Sequence, residues 1–175
     1  ILGAGYGMGP LRFRAQLKTF GVKSSQDECD RIIKVYRETY TQIPALWKAT
    51  GRALLAILNN QVTELGTDEL LKVHGEDGIE LPNGLYLRYP NLRLFMDAEG
   101  GYDELIYDTR RGRTVTSTRI YGGKAVENIC QALARIVIGE QLVRVSERYK
   151  VVMTVHDAIG CLVPEEEAEA GLAYV

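Results

Sequence analysis

The tetrapeptide Val155-His156-Asp157-Ala158 sets two chemically active side chains in the middle of apolar sequence. Lys150-Val151-Val152-Met153-Thr154 precedes it and Ile159-Gly160-Cys161-Leu162-Val163 follows it, so the polar break reads as a tight hairpin with His156 and Asp157 at or near its turn. If the two strands belong to a core, an unpaired carboxylate between them is costly, and a metal ion or a protonated partner is the compensation such a group calls for. The plain alternative is a satisfied histidine beside a surface turn aspartate. A metal-dependent phosphohydrolase of the His-Asp type would need a further His, a further Asp and a helical setting. His74 is the other histidine, no Asp follows Asp157, and the flanks are strand-like, so that reading is set aside.

Two glycine-rich stretches invite phosphate-binding readings, and neither satisfies them. In Gly3-Ala4-Gly5-Tyr6-Gly7-Met8-Gly9, Met8 stands where a dinucleotide fingerprint needs its third glycine, and no strand precedes it. Gly122-Gly123-Lys124 has Thr118 in place of the upstream glycine of a phosphate-cradling loop and lacks the following Ser or Thr. A flexible turn remains the plain reading of the opening. A polar stripe of Lys124, Glu127, Asn128, Gln131 and Arg135 follows Arg110-Arg111-Gly112-Arg113 and Arg119. Charged helix faces of this kind are commonly just solvated.

The elements that position these groups follow from periodicity. A helix starts at Pro10 and ends near Gly21; Ser25 caps a second, with Asp27 and Glu28 in its first turn and Cys29, Ile32, Ile33, Tyr36 and Tyr40 at helical spacing. A third begins near Pro44 and carries one apolar stripe to Asn59-Asn60. Residues 61–118 are short and turn-punctuated, with turns at Pro82-Asn83-Gly84 and Glu99-Gly100-Gly101, and read as two hairpins. Ala125, Ile129, Leu133, Ile136, Val137 and Val143 then mark a helix of about 25 residues. The remaining aromatics fall on apolar faces and read as core, and His74 reads as a surface residue in a polar loop.

With 175 residues, nearly half of them apolar, the chain can bury one sizeable core or two small ones. A formal charge of −2 announces no nucleic-acid binder, so any such surface must come from local clustering of Lys and Arg. Cys29, Cys130 and Cys161 lack zinc or disulfide spacing and read as buried free thiols in a reducing compartment. No apolar run is long enough to span a membrane and no signal segment opens the chain, which reads as soluble and cytoplasmic. It begins at Ile1, already inside a motif, and stops soon after Pro164-Glu165-Glu166-Glu167, as an internal piece of a longer protein would.

In combination and order, Tyr6-Gly7-Met8-Gly9, the run from Tyr121 to Arg135 and the His156-Asp157 hairpin resemble the family A DNA polymerases, in particular their bacteriophage branch. The resemblance spans almost the whole chain, least closely over residues 61–118. It implies an α/β (α+β) fold, part of a right-hand polymerase: helical fingers over residues 1–60, and over residues 61–175 a palm with antiparallel strands and a long helix. It implies template-directed addition of dNTPs to a primer 3′-hydroxyl by two Mg²⁺ ions, with Asp157 as catalytic, metal-binding carboxylate. Tyr6 would be the ring at the base of the nucleotide pocket, Gly7 the point where the backbone bends, and Leu2 would lie beside the incoming sugar, where the family usually carries Phe or Tyr. Asn128, Gln131 and Arg135 would face the minor groove of the primer-template duplex, Arg119 and Lys124 its phosphates, and His156 the primer terminus.

Ala158 stands where the family commonly has Glu, a change expected to tune the chemistry. The second metal-binding aspartate and the phosphate-binding Lys and Arg of the fingers helix have no counterpart here, so this stretch alone is expected to be inactive, its partners being primer-template DNA, dNTP and the rest of the polymerase chain. The competing class is a non-catalytic nucleic-acid-binding or scaffold module, in which Asp157 does no chemistry.

Overall fold

A computed structural model describes residues 2–66, 70–96 and 104–174, without the side chain of Leu2. The fold is α/β, with helices and antiparallel sheets. It divides into two compact units, Ile1–Ile129 and Cys130–Val175, the dividing point in sequence falling within one helix. This is a division by packing; the expected fingers and palm portions, 1–60 and 61–175, are a division by function, which packing does not decide.

The first unit opens with four helices, α1 (Leu2–Gly5), α2 (Pro10–Thr19), α3 (Gln26–Thr39) and α4 (Gln42–Leu58). Pro10 sits in the first turn of α2, where a missing N–H costs nothing. Ser25 caps α3: its hydroxyl accepts the Glu28 N–H at 3.1 Å, with Asp27 and Glu28 beside the positive helix end. α4 starts two residues ahead of Pro44, which its first turn tolerates because those N–H groups have no intrahelical acceptor. Cys29 and Ile33 of α3 and Thr50, Ala53, Leu54 and Ile57 of α4 are buried.

Where the sequence reads as two hairpins, the described residues form two sheets. β1 (Thr63–Leu65), β2 (Leu71–His74), β3 (Gly78–Glu80) and β4 (Tyr86–Leu87) make an antiparallel meander that packs its first two strands on α4, with Leu65, Leu71, Val73 and Ile79 buried. Strands this short carry too little alternation to be seen one by one. The turn at Pro82-Asn83-Gly84 forms as expected, with Gly84 at φ +75° and the Asn83 side chain accepting the Leu85 N–H. The turn expected at Glu99-Gly100-Gly101 lies outside the described residues. His74 lies in β2 and not in a loop, with Nε2 2.8 Å from Glu80 Oε2.

The second sheet has the order β5 (Arg93–Phe95), β6 (Glu104–Arg111), β7 (Thr114–Ile120). β6 and β7 pair from Leu105 opposite Ile120 to Arg111 opposite Thr114, leaving Gly112-Arg113 as a two-residue loop. On one face Arg93 donates to Asp108 at 3.0 Å and to Ser117 at 2.7 Å, while Asn91 and Ser117 also donate to Asp108. On the other, Tyr107 meets the ring of Tyr89 edge-on.

α5 (Gly122–Ser146) is the long helix, 25 residues as expected. The second unit continues with β8 (Lys150–Val155), β9 (Ala158–Leu162), a 3₁₀ turn at Glu165–Glu167 and α6 (Ala168–Tyr174). Tyr149 and Tyr174 pack edge to face, and the Arg148 guanidinium lies over both rings and pairs with Glu167. The expectation of core strands is corrected here: Val152, Met153, Val155 and Leu162 are each about half exposed or more, because β8 and β9 pair only with each other among the described residues. The thiol expectation is corrected as well. Cys29 is buried beside Ser24, Cys161 is partly covered on this hairpin, and Cys130 is exposed on α5 among the described residues.

Candidate functional site

The first unit contains an open cleft of about 1260 Å³. Tyr6, Met8 and Arg12 line it from the opening segment, Glu104, Thr118 and Arg119 from the β6–β7 hairpin, and Tyr121, Lys124 and Glu127 from the head of α5. Tyr6, expected from sequence at the nucleotide pocket, and Arg119 and Lys124, expected at the duplex phosphates, therefore share one surface although more than 110 residues separate the first from the others.

The local sequence explains how Tyr6 is held. α1 ends in a Schellman motif: the Gly7 N–H reaches the Ala4 carbonyl at 3.2 Å and the Met8 N–H reaches the Gly3 carbonyl at 3.0 Å. That closure needs a left-handed residue at its next-to-last position, and Gly7 supplies it at φ +86°. Tyr6 is thus the residue that ends the helix. Around it, Trp47 Nε1 donates to the Gly5 carbonyl at 2.9 Å, Arg37 to the Met8 carbonyl, and the Tyr121 hydroxyl to the Tyr6 carbonyl at 3.3 Å.

Gly122-Gly123 lies in sequence between the lining residues Tyr121 and Lys124. A Cβ on Gly122 would overlap the Trp47 carbonyl, and one on Gly123 would lie 2.5 Å from the Tyr6 carbonyl oxygen. The glycine pair that imitates part of a phosphate loop in sequence is there to let the head of α5 approach α4 and the opening segment.

The charges of the cleft are largely balanced. Arg119 Nε lies 2.6 Å from Glu104 Oε2, and Lys124 Nζ lies 2.6 Å from Glu127 Oε2. The Arg119–Glu104 pair is well exposed and holds its partner by little, about 0–1 kcal/mol, whereas Lys124 and Glu127 are partly buried. Arg12 has no carboxylate partner among the described residues. Asn128 turns toward the buried Tyr89 hydroxyl, whose pKa is pushed up mainly by burial; the Asn128 amide counters this in part without a well-aligned hydrogen bond. Gln131 and Arg135 lie further along α5. Leu2 belongs to α1, and its side chain lies outside the described residues.

His156 and Asp157 form the two-residue turn of the β8–β9 hairpin, between Val155 and Ala158, as the sequence predicts. His156 takes a left-handed backbone, φ +53°, a conformation that costs a non-glycine residue roughly 1–2 kcal/mol. Asp157 is exposed, so the burial premise fails: solvated on a hairpin tip, it needs no buried counter-charge. No group of three His, Cys, Asp or Glu side chains able to hold a metal occurs among the described residues. One open carboxylate fits a share of a Mg²⁺ shell, which ordinarily combines one or two carboxylates with waters and substrate phosphates.

Sequence reasoning missed several cleft residues. The pairing of Glu127 with Lys124, three residues apart on a helix, was a readable signal. The Glu104–Arg119 pair depends on strand register, Trp47 looks like an ordinary core aromatic, and Arg12 like any exposed helix cation.

Similarity to a known protein extends across most of this framework. The chain is 31% identical over 164 residues to a DNA polymerase of Bacillus phage SP02, a match covering 88% of this chain and 24% of that protein. The chain therefore spans about a quarter of the length of that relative. No protein-family model and no solved structure matches. Among the described residues no helix is long and apolar enough to cross a membrane.

Proposed function

We propose that this chain is part of a template-directed DNA polymerase, of family A and its bacteriophage branch, that adds dNTPs to a primer 3′-hydroxyl. The observation that carries the reading is the 31% identity to a phage DNA polymerase over 88% of the chain. In this reading the first unit contributes fingers and palm surfaces. The Tyr6 ring forms the base of the nucleotide pocket, held by Gly7, Trp47 and Tyr121. Arg119 leaves a weak, exposed carboxylate pair, and Lys124 a partly buried one, to meet DNA phosphates. Arg135, Gln131, Asn128 and His156 contact the duplex and primer end, and Leu2 the incoming sugar.

Asp157 holds Mg²⁺ together with a carboxylate from elsewhere in the protein. When bound, the metal ions lower the pKa of the attacking hydroxyl and neutralise charge on the triphosphate. Asp157 is suited to this part because it is exposed and the turn holds it clear of the strands. The stretch described here is inactive without the rest of the active site.

The test is single-turnover incorporation by the full protein. Asp157→Asn is expected to slow it by a factor on the order of 10³ or more, with the affinity for primer-template little changed. A near-normal rate would return Asp157 to a plain turn residue and the chain to a non-catalytic DNA-binding module.

A further inference from the structure

The β6–β7 hairpin divides electrically along its length. At its base Arg119 pairs with Glu104, and midway along it Asp108 takes Arg93 of the neighbouring strand β5. At its tip Arg110, Arg111 and Arg113 are exposed and have no carboxylate, hydrogen-bond or ring partner among the described residues. A Cβ on Gly112, in the tip loop, would meet nothing within 4 Å. Three uncompensated guanidinium groups therefore project from a bare, regular β-ribbon in a chain whose net charge is −2.

We infer that this arginine tip is a second nucleic-acid contact, separate from the cleft, which grips the phosphodiester backbone of the primer-template duplex. The identity of the anion rests on the polymerase reading; the geometry supplies the rest. From the pair Leu105–Ile120, at the cleft, to the pair Arg111–Thr114, at the tip, the ribbon advances six residues, about 20 Å at roughly 3.4 Å each. Each strand presents a phosphate about every 3.4 Å along the duplex axis, so a ribbon lying along that axis carries the tip about six phosphate steps from the cleft. Guanidinium forks suit phosphate oxygens, and Arg110 and Arg111, on opposite faces of the ribbon, can reach neighbouring phosphates. The exposed hydroxyls of Thr114 and Thr116 add donors beside them. The contact is blind to base sequence and strengthens as salt is lowered.

The test measures binding of the full protein to a labelled DNA duplex of about two helical turns across a salt series, by fluorescence anisotropy. Each phosphate that the protein no longer neutralises makes the slope of log K against log salt shallower by about 0.9. Replacing Arg110, Arg111 and Arg113 together by Ala is therefore expected to reduce the slope by about 2.7, and replacing all three by Lys to retain most of it. Arg111→Ala alone, expected to lower the slope by about 0.9, keeps the test open should the triple variant fold poorly. An unchanged slope in folded alanine variants overturns the inference. So does equal loss of binding to poly-L-glutamate, which would mark the tip as a surface for acidic protein partners. Binding requires no turnover: an unaltered protein that fails to incorporate nucleotides while its DNA binding still depends on the three arginines would sink the polymerase reading and leave this one standing.

Discussion

Removing an acid from the cleft should strengthen DNA binding, and Glu104→Gln is the variant that isolates the effect. Arg119 Nε lies 2.6 Å from the Glu104 carboxylate, with the two side chains 70% and 41% exposed. An ion pair so open to water holds its partner by about 0–1 kcal/mol, and that is the energy Arg119 must give up to meet a phosphate. Glutamine keeps the size and one acceptor while removing the charge, so both the pairing cost and the repulsion of the carboxylate for DNA disappear. With RT at about 0.59 kcal/mol, a gain of up to about 1 kcal/mol is a Kd lower by up to roughly fivefold. The assay is fluorescence anisotropy with primer-template at low salt, run as a double-mutant cycle with Arg119→Ala. The gain should shrink when Arg119 is absent, to the part that comes from removing the repulsion alone. Affinity that stays level or falls in Glu104→Gln alone, or a gain of the same size without Arg119, would mean that Arg119 does not reach DNA and that its pair is only a sheet contact.

Other expectations follow from the packing and charge of the first unit. Gly123→Ala should cost about 1–3 kcal/mol, a melting temperature lower by roughly 2–12 °C, because its Cβ would crowd the Tyr6 carbonyl oxygen; Gly9→Ala, where a Cβ meets nothing within 4 Å, should melt near the unaltered protein. Equal melting of Gly123→Ala and the unaltered chain would show that α5 does not approach the opening segment so closely. The Asp108 carboxyl is held below its ordinary pKa by the hydrogen bond from Asn91, then those from Ser117 and Arg93. Its support for the β5–β7 sheet is therefore fully present above the ordinary Asp range and is lost only as pH falls through the depressed folded value. Carboxyl NMR titration should find Asp108 below an ordinary Asp and raised in Asn91→Ala; a midpoint at or above the ordinary value contradicts the network.

The sequence was most legible where a local rule decides structure. The Pro10 start of α2, the Ser25 cap and the length of α5 each depend on residues within one or two turns of one another. The His156-Asp157 turn was legible for the same reason, since two β-prone runs around a two-residue break leave few alternatives. The β6–β7 ribbon was not: Asp108 to Arg113 looks like a polar lead-in to the helix, and its alternation shows only once Thr118 is seen opposite Tyr107. Exposure of β8 and β9 was misjudged because composition records how apolar a strand is and not whether anything covers it. In the cleft, the cations stood out in sequence, whereas the acids that neutralise them are set by strand register and by a helical neighbour.

The hydrogen bonds that hold Tyr6 also impose an order of events on a chain made from one end. Trp47 is 42 residues from Gly5, and Tyr121 is 115 residues from Tyr6. Closing the longer loop costs only about 1 kcal/mol more than closing the shorter, so thermodynamics barely separates the two contacts. Synthesis separates them widely. Trp47 can engage the opening segment as soon as α4 has emerged, whereas Tyr121 and the glycine pair arrive after a further 74 residues, roughly 4–15 s later at the usual pace of elongation. During that interval Tyr6, a lining residue of the cleft, is tethered on one side and bare on the other. The ribosome thus delivers the cleft in two instalments, and slow codons between Trp47 and Tyr121 would lengthen the exposure of its half-built wall.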